Sequence, residues 1–154
     1  MAYRTIKAMV TGPQKEAKAT AASTVYPGDL VQLHTDSTVK EHATDSGPAQ
    51  AMFAIEDSLQ GKEIGTVYTA GTQVRYIVGR KGDEVIANLA DNQTAVVGSY
   101  LISAGNGRLK VYSAASAGVS EWPNSIVAQA MEALDTNNSA ATPLASSRIR
   151  VEII

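Results

Sequence analysis

The alternation of apolar and polar positions is clearest between Val97 and Tyr112. Two runs of strand-forming residues, Tyr100-Leu101-Ile102-Ser103 and Leu109-Lys110-Val111-Tyr112, flank Gly105-Asn106-Gly107, where positive φ costs little. That pattern predicts a β-hairpin. A two-residue loop at Gly105-Asn106 sets Ile102 opposite Leu109 and Tyr100 opposite Val111. A loop at Asn106-Gly107 instead sets Ile102 opposite Val111 and Ala104 opposite Leu109. Either register turns one apolar face inward and leaves Ser103, Arg108 and Lys110 on the other.

The lead-in to this hairpin, a Gly, a small polar residue and then an apolar run, recurs along the chain. It stands at Gly28-Asp29-Leu30-Val31, Gly71-Thr72-Gln73-Val74, Gly82-Asp83-Glu84-Val85 and Gly98-Ser99-Tyr100-Leu101. Each Gly can take the left-handed turn conformation, and each Asp, Ser or Thr can bond the turn backbone before a strand begins. A chain that turns back this often is mainly β, a compact barrel or sandwich with at most one short helix.

Other segments add to the pattern. Tyr3 to Val10 alternates loosely, with Ile6, Ala8 and Val10 on one side, and stops at Gly12-Pro13. Gln14 to Thr24 is small and polar with no apolar stripe to anchor a helix. Residues 1–24 therefore read as an extended N-terminal arm or edge segment, held by partners at least as much as by the β core of 25–154. Leu30–His34 and Val39–His42 read as a hairpin turning at Asp36-Ser37, and Ala51–Asp57 as a buried strand. Residues 126–134 fit a helical stripe, yet Ala128-Gln129-Ala130-Met131-Glu132 echoes Ala51-Met52-Phe53-Ala54-Ile55-Glu56, which favours a strand and a weak internal repeat. Arg148–Ile154 alternates cleanly and closes the chain as a strand, with an apolar last residue that needs burial.

Composition narrows the function classes. At 154 residues, one domain spanning 1–154 is the natural count. Aromatics are only 5%, so the core relies on Val, Ile, Leu, Met and Ala. The 13 basic and 15 acidic residues are spread along the chain without a basic cluster, so nucleic acid is not an expected partner. There is no cysteine, which excludes disulfides, thiolate chemistry and cysteine zinc sites. No apolar run approaches the roughly 20 residues of a membrane-spanning helix, and Met1–Lys7 lacks the apolar core of a secretory signal. A soluble protein with no membrane partner is expected.

Candidate chemistry is sparse. His34 and His42, with Asp36, Glu41 and Asp45 nearby, are residue types that bind metal. A hairpin turning at Asp36-Ser37, however, pairs His34 with Val39 and His42 with Val31, so a solvated edge is expected and no metal. Glu56-Asp57 can form half of a carboxylate pair with Asp83 or Glu132, the arrangement acid–base catalysis needs, though adjacent acids after a strand are usually a surface feature. No Gly-x-Ser-x-Gly elbow or phosphate loop is present, and Gly79-Arg80-Lys81-Gly82 reads as a turn. Trp122, before Pro123, is either a cap on the core or an exposed anchor for a partner. No catalytic residue and no cofactor is expected.

Taken in order, several stretches resemble the capsid decoration, or cement, proteins of tailed bacteriophages. They are Tyr26-Pro27-Gly28-Asp29-Leu30-Val31, Ala51–Asp57, Tyr68–Val74, Lys81–Val85, Gly98–Leu101 with Gly105–Leu109, and Ile126–Glu132 with the terminal strand. The resemblance covers about residue 25 to the end. It implies a β-tulip-like core with an extended arm, forming homotrimers on the outer surface of the expanded head. There the protein would bridge major capsid subunits. Tyr3–Gly12 has no counterpart in that pattern. By position, Tyr3, Arg4, Ile6, Lys7, Met9 and Trp122 are the expected capsid-contacting residues. The alternative is a carbohydrate- or receptor-binding β module of a phage particle, with Trp122 and loop tyrosines stacking on sugar rings.

Overall fold

The computed structural model describes residues 3–19, 24–113, 125–137 and 146–154. Thirteen short strands build it: β1 (Lys7–Met9), β2 (Gln14–Lys18), β3 (Val31–Leu33), β4 (Val39–Glu41), β5 (Met52–Ala54), β6 (Gln73–Val78), β7 (Glu84–Asn88), β8 (Thr94–Ala95), β9 (Tyr100–Ser103), β10 (Leu109–Val111), β11 (Ala128–Ala130), β12 (Leu134–Asp135) and β13 (Arg148–Ile153). A 3₁₀ turn lies at Ser58–Gln60. The fold is mainly β, as the turn pattern predicts.

All four Gly-led segments are the same object. Gly28, Gly71, Gly82 and Gly98 have φ of 93°, 77°, 91° and 91°. In each, the N–H of the next residue donates to the carbonyl three positions back: Asp29 to Tyr26 (3.0 Å), Thr72 to Thr69 (3.2 Å), Asp83 to Arg80 and Ser99 to Val96 (both 2.9 Å). This is the type II turn, whose third position needs positive φ. The polar residue then locks it. Asp29 and Asp83 accept the N–H of Tyr26 and Arg80 (2.9 Å each), Ser99 accepts that of Val96 (3.0 Å), and the Thr72 hydroxyl donates to the Thr69 carbonyl (2.6 Å).

The main sheet has the order β1-β7-β13-β11-β9-β10 and is antiparallel throughout. Its end strands do not pair with each other, so the architecture is a stack of open sheets and not a closed barrel. In a second sheet, β2-β6-β5, the edge strand β2 is mostly exposed, while β5 and β6 bury side chains on both faces. Phe53 and Ile77 point into the larger core, with Ile6, Leu30, Ile55, Val85, Leu101 and Ile149. Their neighbours Met52, Ala54, Val74 and Tyr76 point into a smaller core, with Val25, Val31, Val39 and Tyr68. The period-2 alternation of a strand is what divides one sheet between two cores.

Both hairpins close with three loop residues in place of the expected two, which shifts each register by one from the expected pairings. Leu109 pairs with Ser103 and Lys110 with Ile102, so Gly105-Asn106-Gly107 forms a three-residue loop between Ala104 and Arg108. Leu33 pairs with Val39, and the His34 N–H donates to the Thr38 carbonyl, leaving Thr35-Asp36-Ser37 as loop. The physical reason is the last loop residue: Gly107 (φ 77°) and Ser37 (φ 64°) both adopt the left-handed conformation that closes a three-residue hairpin. Ser103 consequently lies inside, fully buried, and not on a polar face.

Residues 126–134 form a strand and a bend, not a helix, and β11 lies centrally between β9 and β13. In β13, Ile149, Val151 and Ile153 point inward, so the final Ile154 faces out and is 42% exposed, contrary to its expected burial.

Candidate functional site

The N-terminal segment is the stretch that sequence reasoning assigns to partners, and three carboxylates fasten it to the domain. Glu132 accepts the Tyr3 hydroxyl (2.5 Å). Glu56, itself buried, accepts the Thr5 hydroxyl (2.5 Å) and the Ile6 N–H (3.0 Å). Asp83 accepts the Thr11 N–H (3.0 Å) and hydroxyl (2.7 Å) and the Gly12 N–H (3.0 Å). These are the acids weighed for acid–base chemistry, and each is directed at a different point of residues 3–12. Glu56 and Glu132 each follow the strand of the suspected repeat, β5 and β11, by two residues.

Electrostatics follow from these contacts. Burial and then the Glu132 carboxylate push the Tyr3 hydroxyl up to about 12. Burial alone would raise the Asp83 carboxyl, but the hydrogen bonds from Arg80, Thr11 and Gly12 outweigh it and hold it below its ordinary value. A cleft of about 600 Å³ borders Tyr3 and Arg4, with Glu56, Ser58, Lys62 and Glu63 on its walls.

The expected capsid-contacting residues therefore separate. Ile6 is fully buried in the larger core, so it belongs to the domain's own interior and not to an exposed surface. A β-bulge between Lys7 and Met9 breaks the alternation, which leaves Ala8 exposed instead of inward. Tyr3 is half-buried, Arg4 is exposed, Lys7 pairs with Val85, and Met9 is 57% exposed beside Glu84. Residues 3–19 thus run along the domain, with β1 and β2 at sheet edges. Trp122 lies outside the described residues.

The histidines part company. His34 is exposed and its Nδ1 lies 3.0 Å from Asp36 Oδ1. His42 is buried, a correction to the expected solvated edge. Its Nε2 lies 3.1 Å from the Pro48 carbonyl oxygen, an atom that can only accept, so Nε2 carries the proton. Nδ1 then accepts from the Ser103 hydroxyl at 2.6 Å. Backbone bonds from Gly107 to His42 and from His42 to Leu30 complete a pin between the two hairpins. Among the described residues, no group of three or more His, Asp or Glu is placed to hold a metal ion.

Two features have no local signal in the sequence. Asp29 is buried at the junction of the first turn, β7 and the 105–107 loop, where it accepts the Asn88 amide at 2.8 Å; burial pushes its carboxyl up to about 7. The other is an exposed apolar group formed by Val96, Val97, Tyr100 and Met131.

Stacked open antiparallel sheets with two apolar cores define a β sandwich-like domain. No protein-family model and no curated protein matches this chain. The fold is similar to the N base of the head fiber protein gp8.5 of bacteriophage phi29, with a TM-score of 0.53 and 12% sequence identity over 92% of this chain and 95% of that one. At that identity the likeness is one of fold.

Proposed function

We propose that this chain is a structural subunit of a tailed-phage particle, seated on the outside of the head. There, homotrimers bridge neighbouring major capsid subunits. One observation carries the reading: nearly the whole chain shares its fold with the base of a phage head fiber. Two further features support it. Glu56, Asp83 and Glu132 tether the N-terminal segment and are not gathered around one reacting point. The edge strand β1 keeps Met9 exposed, with Arg4 exposed just ahead of it.

The physical logic is multivalent clamping. Once one subunit of a trimer is held, the others act at effective concentrations near millimolar, so each contact need bind only weakly. Shell stability then rises because expansion or rupture must break several contacts together. Adding the purified protein to expanded, undecorated heads is expected to raise their resistance to heat and to chelator. Heads whose melting profile is unchanged at saturating protein would refute the proposal.

A further inference from the structure

Asn106-Gly107 is the one Asn-Gly pair in the chain; the other asparagines precede Leu89, Gln93, Ser125, Asn138 and Ser139. Asparagine is thermolabile because its own backbone can attack it. The amide nitrogen of the next residue gives up its proton to solvent base and bonds to the side-chain carbonyl carbon, and the side-chain nitrogen leaves as ammonia. Water then opens the succinimide at either carbonyl, yielding aspartate or isoaspartate with no change of oxidation state. A following glycine favours the step, since it has no side chain to hinder the ring and wide freedom in φ and ψ. The fold sets the two reacting halves in different surroundings. Asn106 is exposed at the apex of its loop, open to water, whereas Gly107 is buried.

Gly107 is held where it cannot attack. Its N–H donates to the His42 carbonyl at 3.1 Å, so the nitrogen that must lose a proton is engaged, and its carbonyl accepts the Leu30 N–H at 2.7 Å. A Cβ at Gly107 would stand 3.0 Å from both Asp29 Cγ and Glu41 Cβ, which leaves this backbone no room to swing. Asn106 Oδ1 accepts the Arg108 N–H at 3.2 Å, which keeps the side chain folded forward over residue 108. The acceptor is fixed in turn, because the His42 ring is held by Ser103 at 2.6 Å and by the Pro48 carbonyl at 3.1 Å. Reaction has to wait for the pin between the hairpins to open, and its rate then scales with the open population.

We propose that Asn106 is a deamidation site that the fold holds closed through the Gly107–His42 hydrogen bond, so that its conversion reports opening of the pin. The product acts back on the pin. Isoaspartate routes the main chain through the side-chain methylene, lengthening a loop that sets the pairing of Leu109 with Ser103. Either product also adds a carboxylate to a loop already packed against Asp29 and Glu41.

The test follows the full chain at mildly alkaline pH, in native buffer and in denaturing urea, by intact mass and by mapping of the peptide that contains Asn106. Aspartate and isoaspartate at 106 are expected in both, at least about tenfold more slowly in native buffer. That slowing is expected to equal or exceed the amide-exchange protection of the Gly107 N–H under the same native conditions. Ser103→Ala, which frees the His42 ring, is expected to lower Gly107 protection and speed native conversion severalfold, with the rate in urea unchanged. No conversion at 106 in urea would overturn the site. A slowing smaller than the Gly107 protection, or none, would overturn the gate in the wild-type chain itself. So would a Ser103→Ala chain with lowered protection and the wild-type native rate.

Discussion

Replacing Asp29 with asparagine isolates the cost of keeping a carboxyl out of water. In the unfolded chain this group titrates near 3.8, whereas burial in the fold pushes it up to about 7. Between those values the folded protein holds a proton that the unfolded chain has released, so stability falls as pH rises through the window. Below about 4 the penalty is absent, and above about 7 it is complete. Each pH unit in the window corresponds to about 1.4 kcal/mol, so wild type at pH 8 carries a penalty of order 4 kcal/mol from this group relative to pH 4. Burial raises Glu41 as well, which adds to the wild-type slope in the same direction. The diagnostic quantity is therefore the difference between wild type and Asp29→Asn. Asparagine keeps an oxygen for the Tyr26 N–H but sets its amide against that of Asn88, a fixed loss that does not depend on pH. Urea unfolding at pH 5, 6, 7 and 8 is expected to show the variant gaining steadily on wild type as pH rises, by about 2 to 4 kcal/mol over the series. A wild-type-minus-variant difference that is flat across those four pH values would refute the burial argument.

Four further outcomes are expected. Ile6→Ala, at a fully buried position, loses about 3 kcal/mol in urea unfolding, whereas Met9→Ala, three residues on and 57% exposed, changes stability by less than about 0.5 kcal/mol. Glu56→Ala costs about 1.5 to 3 kcal/mol and selectively speeds amide exchange at Ile6, whose N–H loses its charged acceptor. Gly82→Ala meets no atom within 4 Å and costs only the left-handed backbone, about 1 to 2 kcal/mol by thermal melt; Gly105→Ala also drives its methyl to 2.8 Å from the Asp45 nitrogen and costs more. A glycan screen of the isolated protein is expected to show no specific binding; millimolar-or-better affinity for one sugar would favour the carbohydrate-binding alternative.

What was legible in the chain was local. A type II turn is decided by four consecutive residues, so Tyr26-Pro27-Gly28-Asp29 and its three counterparts announce themselves, and the strands after them follow. Hairpin register was nearly legible: whether Gly105-Asn106-Gly107 closes with two loop residues or three depends on which glycine turns left-handed, and both do. Long-range pairing was not legible. Nothing near His42 in sequence reveals that Ser103, 61 residues on, will meet its ring, and nothing near Glu56 points fifty residues back to Ile6. The apolar group was hidden for a different reason. Val96 and Val97 fit a strand pattern as written, and only the placement of the turn at their position brings them to the surface beside Met131.

Cryo-electron microscopy of expanded phage heads incubated with this protein tests the account most directly. The expected result is ordered density on the outer shell that this fold fills, in contact with neighbouring major capsid subunits. Bare shells at saturating protein would contradict it.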